Sequence, residues 1–110
     1  MYIDDCVKGI DMITHCDELI ATPINLGSSE LVSINELLSK VEKIAGVKLK
    51  RRYDLTAPRG VAGRNSDNTF IQKVLKWEPK TPLDKGLAVT YKWVSEQYDA
   101  RKAGKRVGIG

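Results

Sequence analysis

The sequence predicts an α/β fold, a small parallel βαβ unit with additional helices. Residues 22–27 and 48–53 are each typical of a short strand, and the first ends at Gly27. The helix predicted between them carries a continuous apolar stripe. Strand, helix and strand within roughly thirty residues form a βαβ unit, so we expect parallel strands with a right-handed crossover. This is too little sheet for a full doubly wound domain.

The helix of this unit, predicted over 34–45, has signals at both ends. Ser33 and Glu36 form a capping box, in which each side chain serves a free amide of the first turn. Gly46 supplies a left-handed C-cap. The apolar stripe expected to face the core consists of Ile34, Leu37, Leu38, Val41, Ile44 and Ala45.

Three further helices are predicted. The first covers 4–15, the second directly follows a loop at 54–66, and the third covers 83–101. The caps expected at the first two are Asp4 or Asp5, and then Asn65, Ser66 or Asp67. The apolar residues expected on the three inner faces are Cys6, Ile10 and Ile13, then Ile71, Val74 and Leu75, and finally Leu87, Tyr91, Val94 and Tyr98.

Size indicates one domain, and the charge would suit either an anionic partner or none. The 110 residues suit a single lobe over 1–102, followed by a flexible basic tail over 103–110. The net charge of +4 fits a nucleotide, a phosphate or a nucleic acid. Nucleic acid is the less favoured partner, because no predicted helix carries a basic stripe with base-stacking aromatic residues. No membrane-spanning stretch or signal peptide is visible, so we expect a cytoplasmic protein.

The motifs of common catalytic and cofactor sites are absent from the sequence. It contains no G-x-G-x-x-G turn, no P-loop and no G-x-S-x-G elbow. Cys6 and Cys16 lack the spacing of a metal site or a disulfide framework, and the single histidine, His15, is expected near a helix end. Tyr98 and Lys102 match the Y-x-x-x-K pair of short-chain dehydrogenases, but no cofactor-binding segment precedes them. We interpret that match as chance and predict no catalytic, cofactor-binding or metal-binding residue.

The loop at 59–68 is the remaining candidate site. Its polar residues are Arg59, Arg64, Asn65, Ser66 and Asn68, next to a predicted helix start. Guanidinium groups bind phosphate through two parallel hydrogen bonds, and helix-start amides add partial positive charge. Asp67 argues against a simple anion cradle, and we expect it to cap the helix or orient an arginine. The loop is therefore either an anion-binding site or an ordinary solvated loop.

Several motifs together resemble the C-terminal part of the extended short-chain dehydrogenase/reductases. Residues 71–79, followed by Gly86-Leu87-x-x-Thr90-x-x-Trp93, are similar to the C-terminal signature of that family. Residues 2–7 resemble its strand-to-helix junction into the substrate domain, and Asn25-Leu26-Gly27 resembles its N-x-G strand end. The pieces occur in the family's order over nearly the whole chain. Those enzymes act on nucleotide sugars as epimerases, dehydratases and decarboxylases.

Within the family, Gly63-Arg64-Asn65-Ser66-Asp67-Asn68 and Thr90-Tyr91-x-Trp93 look most like the GDP-mannose 3,5-epimerases. The resemblance implies that Arg64 contacts the nucleotide-sugar diphosphate, with Asn65 beside it in the substrate site. No family role passes to Arg59. Lys76 stands where a glycine usually precedes the tryptophan, and Ala62 stands where a basic residue is expected. The second departure weakens the assignment to one particular nucleotide sugar.

For a complete enzyme, the resemblance implies that bound NAD takes a hydride from the sugar, that adjacent carbons exchange protons, and that the hydride returns. The residues for this chemistry belong to an N-terminal Rossmann half that this sequence lacks. We therefore expect a substrate-binding lobe for a GDP-mannose-like nucleotide sugar, without cofactor and inactive alone. The alternative is a free-standing interaction module derived from a truncated epimerase gene. Its partner would be either the Rossmann half or a second copy in a homo-oligomer.

Overall fold

The computed structural model describes residues 1–58 and 60–104, and the regular structure in them is helical. The elements are α1 (Ile3–Thr14), a single 3₁₀ turn (Asp17–Leu19), α2 (Ile34–Ala45), α3 (Thr69–Leu75) and α4 (Leu83–Lys102). The four predicted helices are all present, and α2 has the predicted bounds. Arg59 of the candidate loop and residues 105–110 of the predicted basic tail lie outside the described residues.

The predicted parallel βαβ unit is wrong, because the described part of the chain contains no strand. A strand exists only through backbone hydrogen bonds to a neighbour, and 22–27 and 48–53 do not pair with each other. Side chains hold the second segment on α2 instead. The Arg51 guanidinium donates hydrogen bonds to Asn35 O (3.2 Å), Ser39 Oγ (2.8 Å) and Glu42 Oε2 (2.8 Å).

The capping box at the start of α2 is confirmed. Ser33 Oγ accepts from the Glu36 amide at 3.2 Å, and Glu36 Oε2 accepts from the Ser33 amide at 2.7 Å. Hydrogen bonds from the Ser33 amide and hydroxyl lower the pKa of Glu36 below its ordinary value. Gly46 ends the helix at φ 67°, in the left-handed region that glycine adopts without strain.

The caps predicted for α1 and α3 are wrong. α1 begins after Tyr2 without a side-chain cap, and Asp5 accepts a hydrogen bond from the distant Thr81 amide at 2.8 Å. The N-cap of α3 is Asn68, whose side chain makes no capping bond. Asp67 nevertheless serves this helix, because its Oδ1 accepts from the Thr69 amide at 2.9 Å.

The core is thin. Among the described residues, the buried hydrophobic side chains are Leu19 and Ile71. Gly9 of α1 is buried where a β-carbon would meet Leu26 and Trp77, so α1 packs closely on both. α2 packs against α4, yet three members of the predicted inner face of α4, Tyr91, Val94 and Tyr98, are exposed. The inner faces predicted for α1 and α2 are wrong in part as well, since Ile10 of α1 and Ile34 and Leu38 of α2 are exposed. The described helices include none that is long and apolar enough to span a membrane.

Candidate functional site

The two predicted binding residues, Arg64 and Asn65, line one open groove of about 500 Å³. We call this cavity the Arg64 groove; its other lining residues include Asn25, Gly27, Ser28 and Glu30. Arg64 and Asn65 are both exposed. The structure therefore brings the end of the predicted first strand together with the candidate loop, although these segments are far apart in sequence.

The groove is built by two runs of irregular backbone, 27–31 and 63–68, that cross in opposite directions. The Ser66 amide donates to Ser28 O at 2.9 Å, and Asn65 Nδ2 donates to Ser29 O at 3.3 Å. At the two ends, Asn68 Nδ2 donates to Gly27 O, and a β-carbon at Gly63 would lie 3.5 Å from Leu31. Residue numbers fall along one run as they rise along the other, so the runs are antiparallel. Because position 65 contacts 29 and position 63 contacts 31, Arg64 lies opposite Glu30.

Asn68 holds these runs to the rest of the molecule. It is 6% exposed, and its Nδ2 donates to Gly27 O and to Glu78 Oε2, both at 3.1 Å. Its Oδ1 and the hydroxyl of Ser66 are buried without a hydrogen-bond partner in the described part of the chain. Close contact supports the same crossing, since a β-carbon at Gly27 would lie 2.8 Å from the Ser66 β-carbon. The polar residues nearest the crossing are thus fixed by packing.

Glu30 is the second charged residue of the Arg64 groove. Its Oε2 accepts a hydrogen bond from the Leu83 amide at 2.9 Å, at the start of α4. Although the register sets Glu30 opposite Arg64, the described residues show no ion pair between them. The groove therefore presents a cation and an anion that do not neutralise each other.

The first amide of α3 is already bound by a carboxylate. Asp67 Oδ1 accepts from both the Thr69 amide and the Thr69 hydroxyl, at 2.9 and 2.7 Å. Hydrogen bonds from the Thr69 hydroxyl and amide lower the pKa of Asp67. Asp67 therefore binds the Thr69 amide from the position before the N-cap, Asn68, and the group that supplies positive charge to the groove is Arg64.

A second, more apolar groove of about 330 Å³ adjoins the first. Tyr2, Val32, Leu83 and Leu87 are among its lining residues, and it shares Met1, Ser28 and Glu30 with the Arg64 groove. The carboxylate of Glu30 thus lies at the boundary between a polar cavity and an apolar one.

The remaining sequence candidates lie away from this site. Tyr98 is 65% exposed on the last turns of α4, and neither Tyr98 nor Lys102 lines either groove. His15 lies at the C-cap of α1, where its Nδ1 is 2.9 Å from Asp11 O. Cys6 and Cys16 are free and half-buried. Within residues 1–58 and 60–104, no group of three or more His, Cys, Asp or Glu side chains could hold a metal ion.

Sequence reasoning missed Glu30 and the central place of Asn68. Glu30 acts through Leu83, 53 positions away, so no local pattern could identify it. Asn68 did carry a signal, because it stands directly before the short helix at the end of the candidate loop. The sequence predicted Asn68 only as one of the polar residues of the candidate loop, whereas the structure buries it.

Sequence comparison finds relatives that match nearly the whole chain. The chain is 41% identical over 102 residues to GDP-mannose 3,5-epimerase of Arabidopsis thaliana and 37% identical over 103 residues to the probable GDP-L-fucose synthase 1 of Oryza sativa subsp. japonica. It is also 32% identical over 105 residues to UDP-glucuronate 4-epimerase of Thermodesulfobacterium geofontis. These alignments cover 93%, 93% and 94% of this chain, but 26%, 30% and 32% of the three relatives.

The chain belongs to the extended short-chain dehydrogenase/reductase family, as its motifs predicted. Within that family, it is similar to GDP-mannose 3,5-epimerase along nearly all of its length, while it spans about a quarter of the length of that relative. No protein-family model matches the chain, so the assignment rests on these pairwise similarities.

Proposed function

We propose that this chain forms one side of a nucleotide-sugar-binding pocket, with the diphosphate held at Arg64 and Asn65. The observation that carries the proposal is the Arg64 groove, which gathers Arg64, Asn65 and the backbone around Gly27 into one cavity. Guanidinium groups recognise phosphate oxygens through paired, charge-assisted hydrogen bonds. The names of the relatives, which include GDP-mannose 3,5-epimerase and UDP-glucuronate 4-epimerase, support a nucleotide sugar as the ligand.

The side chain of Asn65 supports this assignment. Its Nδ2 donates one hydrogen to Ser29 O, which fixes the amide and leaves the second hydrogen of Nδ2 to donate to a phosphate oxygen. Arg64 is exposed and forms no ion pair with another described residue. A bound diphosphate would therefore meet a guanidinium group that has no competing carboxylate to release.

We also propose that NAD, which the family uses, would be held by residues outside this chain. The sequence has no glycine-rich turn between a strand and a helix, which a dinucleotide pyrophosphate requires. Two helix starts that could take a pyrophosphate are already occupied by carboxylates, α2 by Glu36 and α4 by Glu30. The residues present do not fit a dinucleotide, so this chain would supply substrate binding and not hydride transfer.

The binding proposal is tested by titrating GDP-mannose into the wild-type protein and Arg64→Ala in a calorimeter. Loss of a charged hydrogen bond to phosphate should weaken binding by about tenfold or more. Arg52→Ala is the matched control, because Arg52 is also an exposed arginine but does not line the groove. Equal affinity of the wild type and Arg64→Ala would remove Arg64 from the site, and absence of binding by the wild type would overturn the proposal.

A second candidate function, an interaction module that self-associates, is favoured by one face of α1. Ile3, Val7 and Ile10 follow helical spacing and are 61%, 59% and 54% exposed. We call this face the α1 stripe. Contiguous apolar surface on a helix is typical of a protein–protein interface. We propose a second copy of this chain as its partner.

A further inference from the structure

We propose that Glu30 is a second ligand-binding residue of the Arg64 groove, accepting hydrogen bonds from vicinal hydroxyls that flank a bound diphosphate. This inference rests on the proposed function, because it assumes an anionic group at Arg64. It adds a residue and a ligand chemistry that neither the sequence motifs nor the similarity to known enzymes assigned.

The first argument is position. The antiparallel crossing of 27–31 and 63–68 sets Glu30 opposite Arg64, and both side chains line the same groove. Both residues line a single cavity of about 500 Å³. Ligand groups bound by Arg64 and by Glu30 would therefore belong to adjacent parts of one molecule.

The second argument is charge. A carboxylate beside a diphosphate site lowers affinity for the anion unless it gains hydrogen bonds from the same ligand. Glu30 Oε2 accepts from the Leu83 amide, and Oε1 accepts no hydrogen bond from the described residues. Oε1 of Glu30 can therefore accept a hydrogen bond from an O–H or N–H group that lies next to the phosphates of a ligand.

The third argument is the chemistry of nucleotide sugars. Their diphosphate joins a ribose to a hexose, and both rings carry adjacent hydroxyl groups. A carboxylate can accept one hydrogen bond on each oxygen, which suits a pair of neighbouring hydroxyls. The two rings offer the same donor chemistry, so the experiment has to separate them.

The experiment compares wild type with Glu30→Gln, using inorganic pyrophosphate, GDP and GDP-mannose as probes in calorimetric titrations. Glutamine keeps a neutral acceptor for the Leu83 amide, so α4 retains its contact. Glu18→Gln, which changes an exposed carboxylate outside the groove, is the matched control. Helix content measured by circular dichroism verifies that both variants fold.

We expect Glu30→Gln to bind pyrophosphate as tightly as the wild type or more tightly, because a like charge is removed. GDP-mannose should bind about fivefold more weakly, because charged hydrogen bonds become neutral ones. The same loss with GDP assigns the contact to the ribose, and a loss with GDP-mannose alone assigns it to the hexose; both results support the proposal.

An equal change for all three probes, or no change for any, would overturn the proposal and leave Glu30 as a cap of α4. If Arg64→Ala weakens pyrophosphate binding while Glu30→Gln leaves GDP-mannose binding unchanged, the inference about Glu30 is wrong and the proposed function stands. If the wild type binds none of the probes, the proposed function falls with it.

Discussion

Lys76 shows at the residue scale why one departure from the family motif matters. It is the C-cap of α3 and adopts φ 51° and ψ 29°, in the left-handed region that costs most residues about 1 kcal/mol. Glycine adopts this conformation without that cost. The family's usual glycine before the tryptophan therefore has a backbone explanation, and this chain accepts strain at that position.

Replacing Lys76 with glycine should stabilise the protein. We expect Lys76→Gly to raise the free energy of unfolding by about 0.5–1 kcal/mol, because left-handed strain is relieved. Thermal denaturation followed by circular dichroism would measure the change. Lys73→Gly, the same substitution inside α3, should instead destabilise by about 1 kcal/mol. A lower melting temperature for Lys76→Gly than for the wild type would contradict this account.

At the scale of elements, the segment 48–53 depends on a charged contact with α2. A hydrogen bond from the Arg51 guanidinium holds the pKa of Glu42 below its ordinary 4.5. A carboxylate whose pKa is lower in the folded than in the unfolded protein contributes to stability. That contribution is fully present above the unfolded-state pKa and is lost as the pH falls through the folded-state pKa. The segment should therefore release from α2 only in acid.

This pH dependence can be followed at the Leu49 amide, which donates to Glu42 Oε1 at 3.3 Å. We expect its NMR chemical shift to be constant near neutral pH and to titrate in acid with a midpoint below 4.5. In Glu42→Gln the same shift should not show this titration. A midpoint at or above 4.5 would mean that the contact does not stabilise the ionised carboxylate.

The elements also show what a sequence can reveal. α2 was predicted with correct bounds, because Ser33, Glu36 and Gly46 act within one turn of the helix ends. The predicted strands were wrong, because a strand depends on backbone hydrogen bonds to a partner elsewhere in the chain. The segment 48–53 instead makes side-chain hydrogen bonds to α2. Arg64 and Asn65 were singled out by chemistry and motif, whereas Glu30 became visible only through its contact with Leu83.

At the scale of the whole molecule, the chain exposes too much surface for an isolated compact domain. Its accessible surface is 9317 Å², whereas a monomer of this mass exposes roughly 6,100 Å². The excess is larger than the area, about 800 Å² per partner, that a standard interface buries.

A second copy suits the α1 stripe. Its three apolar residues lie on successive turns of one helix face and are exposed. The same face of a second copy can pack against it in an antiparallel, two-fold arrangement. Isologous contacts of this kind close a dimer without leaving a free binding face.

We therefore expect the wild-type mass in sedimentation equilibrium to rise with concentration toward that of a dimer. Val7→Asp should reduce association strongly, because it places a charge in the centre of the stripe. Leu55→Asp, at a position 78% exposed in a turn, is the control and should associate like the wild type. A monomer mass at every concentration, or equal behaviour of the two variants, would exclude the stripe as the interface.

The antiparallel crossing at the Arg64 groove also has a consequence for dynamics. Its two runs are joined by one backbone hydrogen bond, between Ser66 and Ser28, and by side-chain bonds spanning up to 41 positions. So few bonds across so long a loop make the crossing a region of low local stability, where amides exchange with solvent through small openings. A ligand that bridges the runs would close them, and at a hundred times its dissociation constant it would add about 2.7 kcal/mol to the folded state. Slower exchange of the Ser66 amide would then report occupancy of the groove directly.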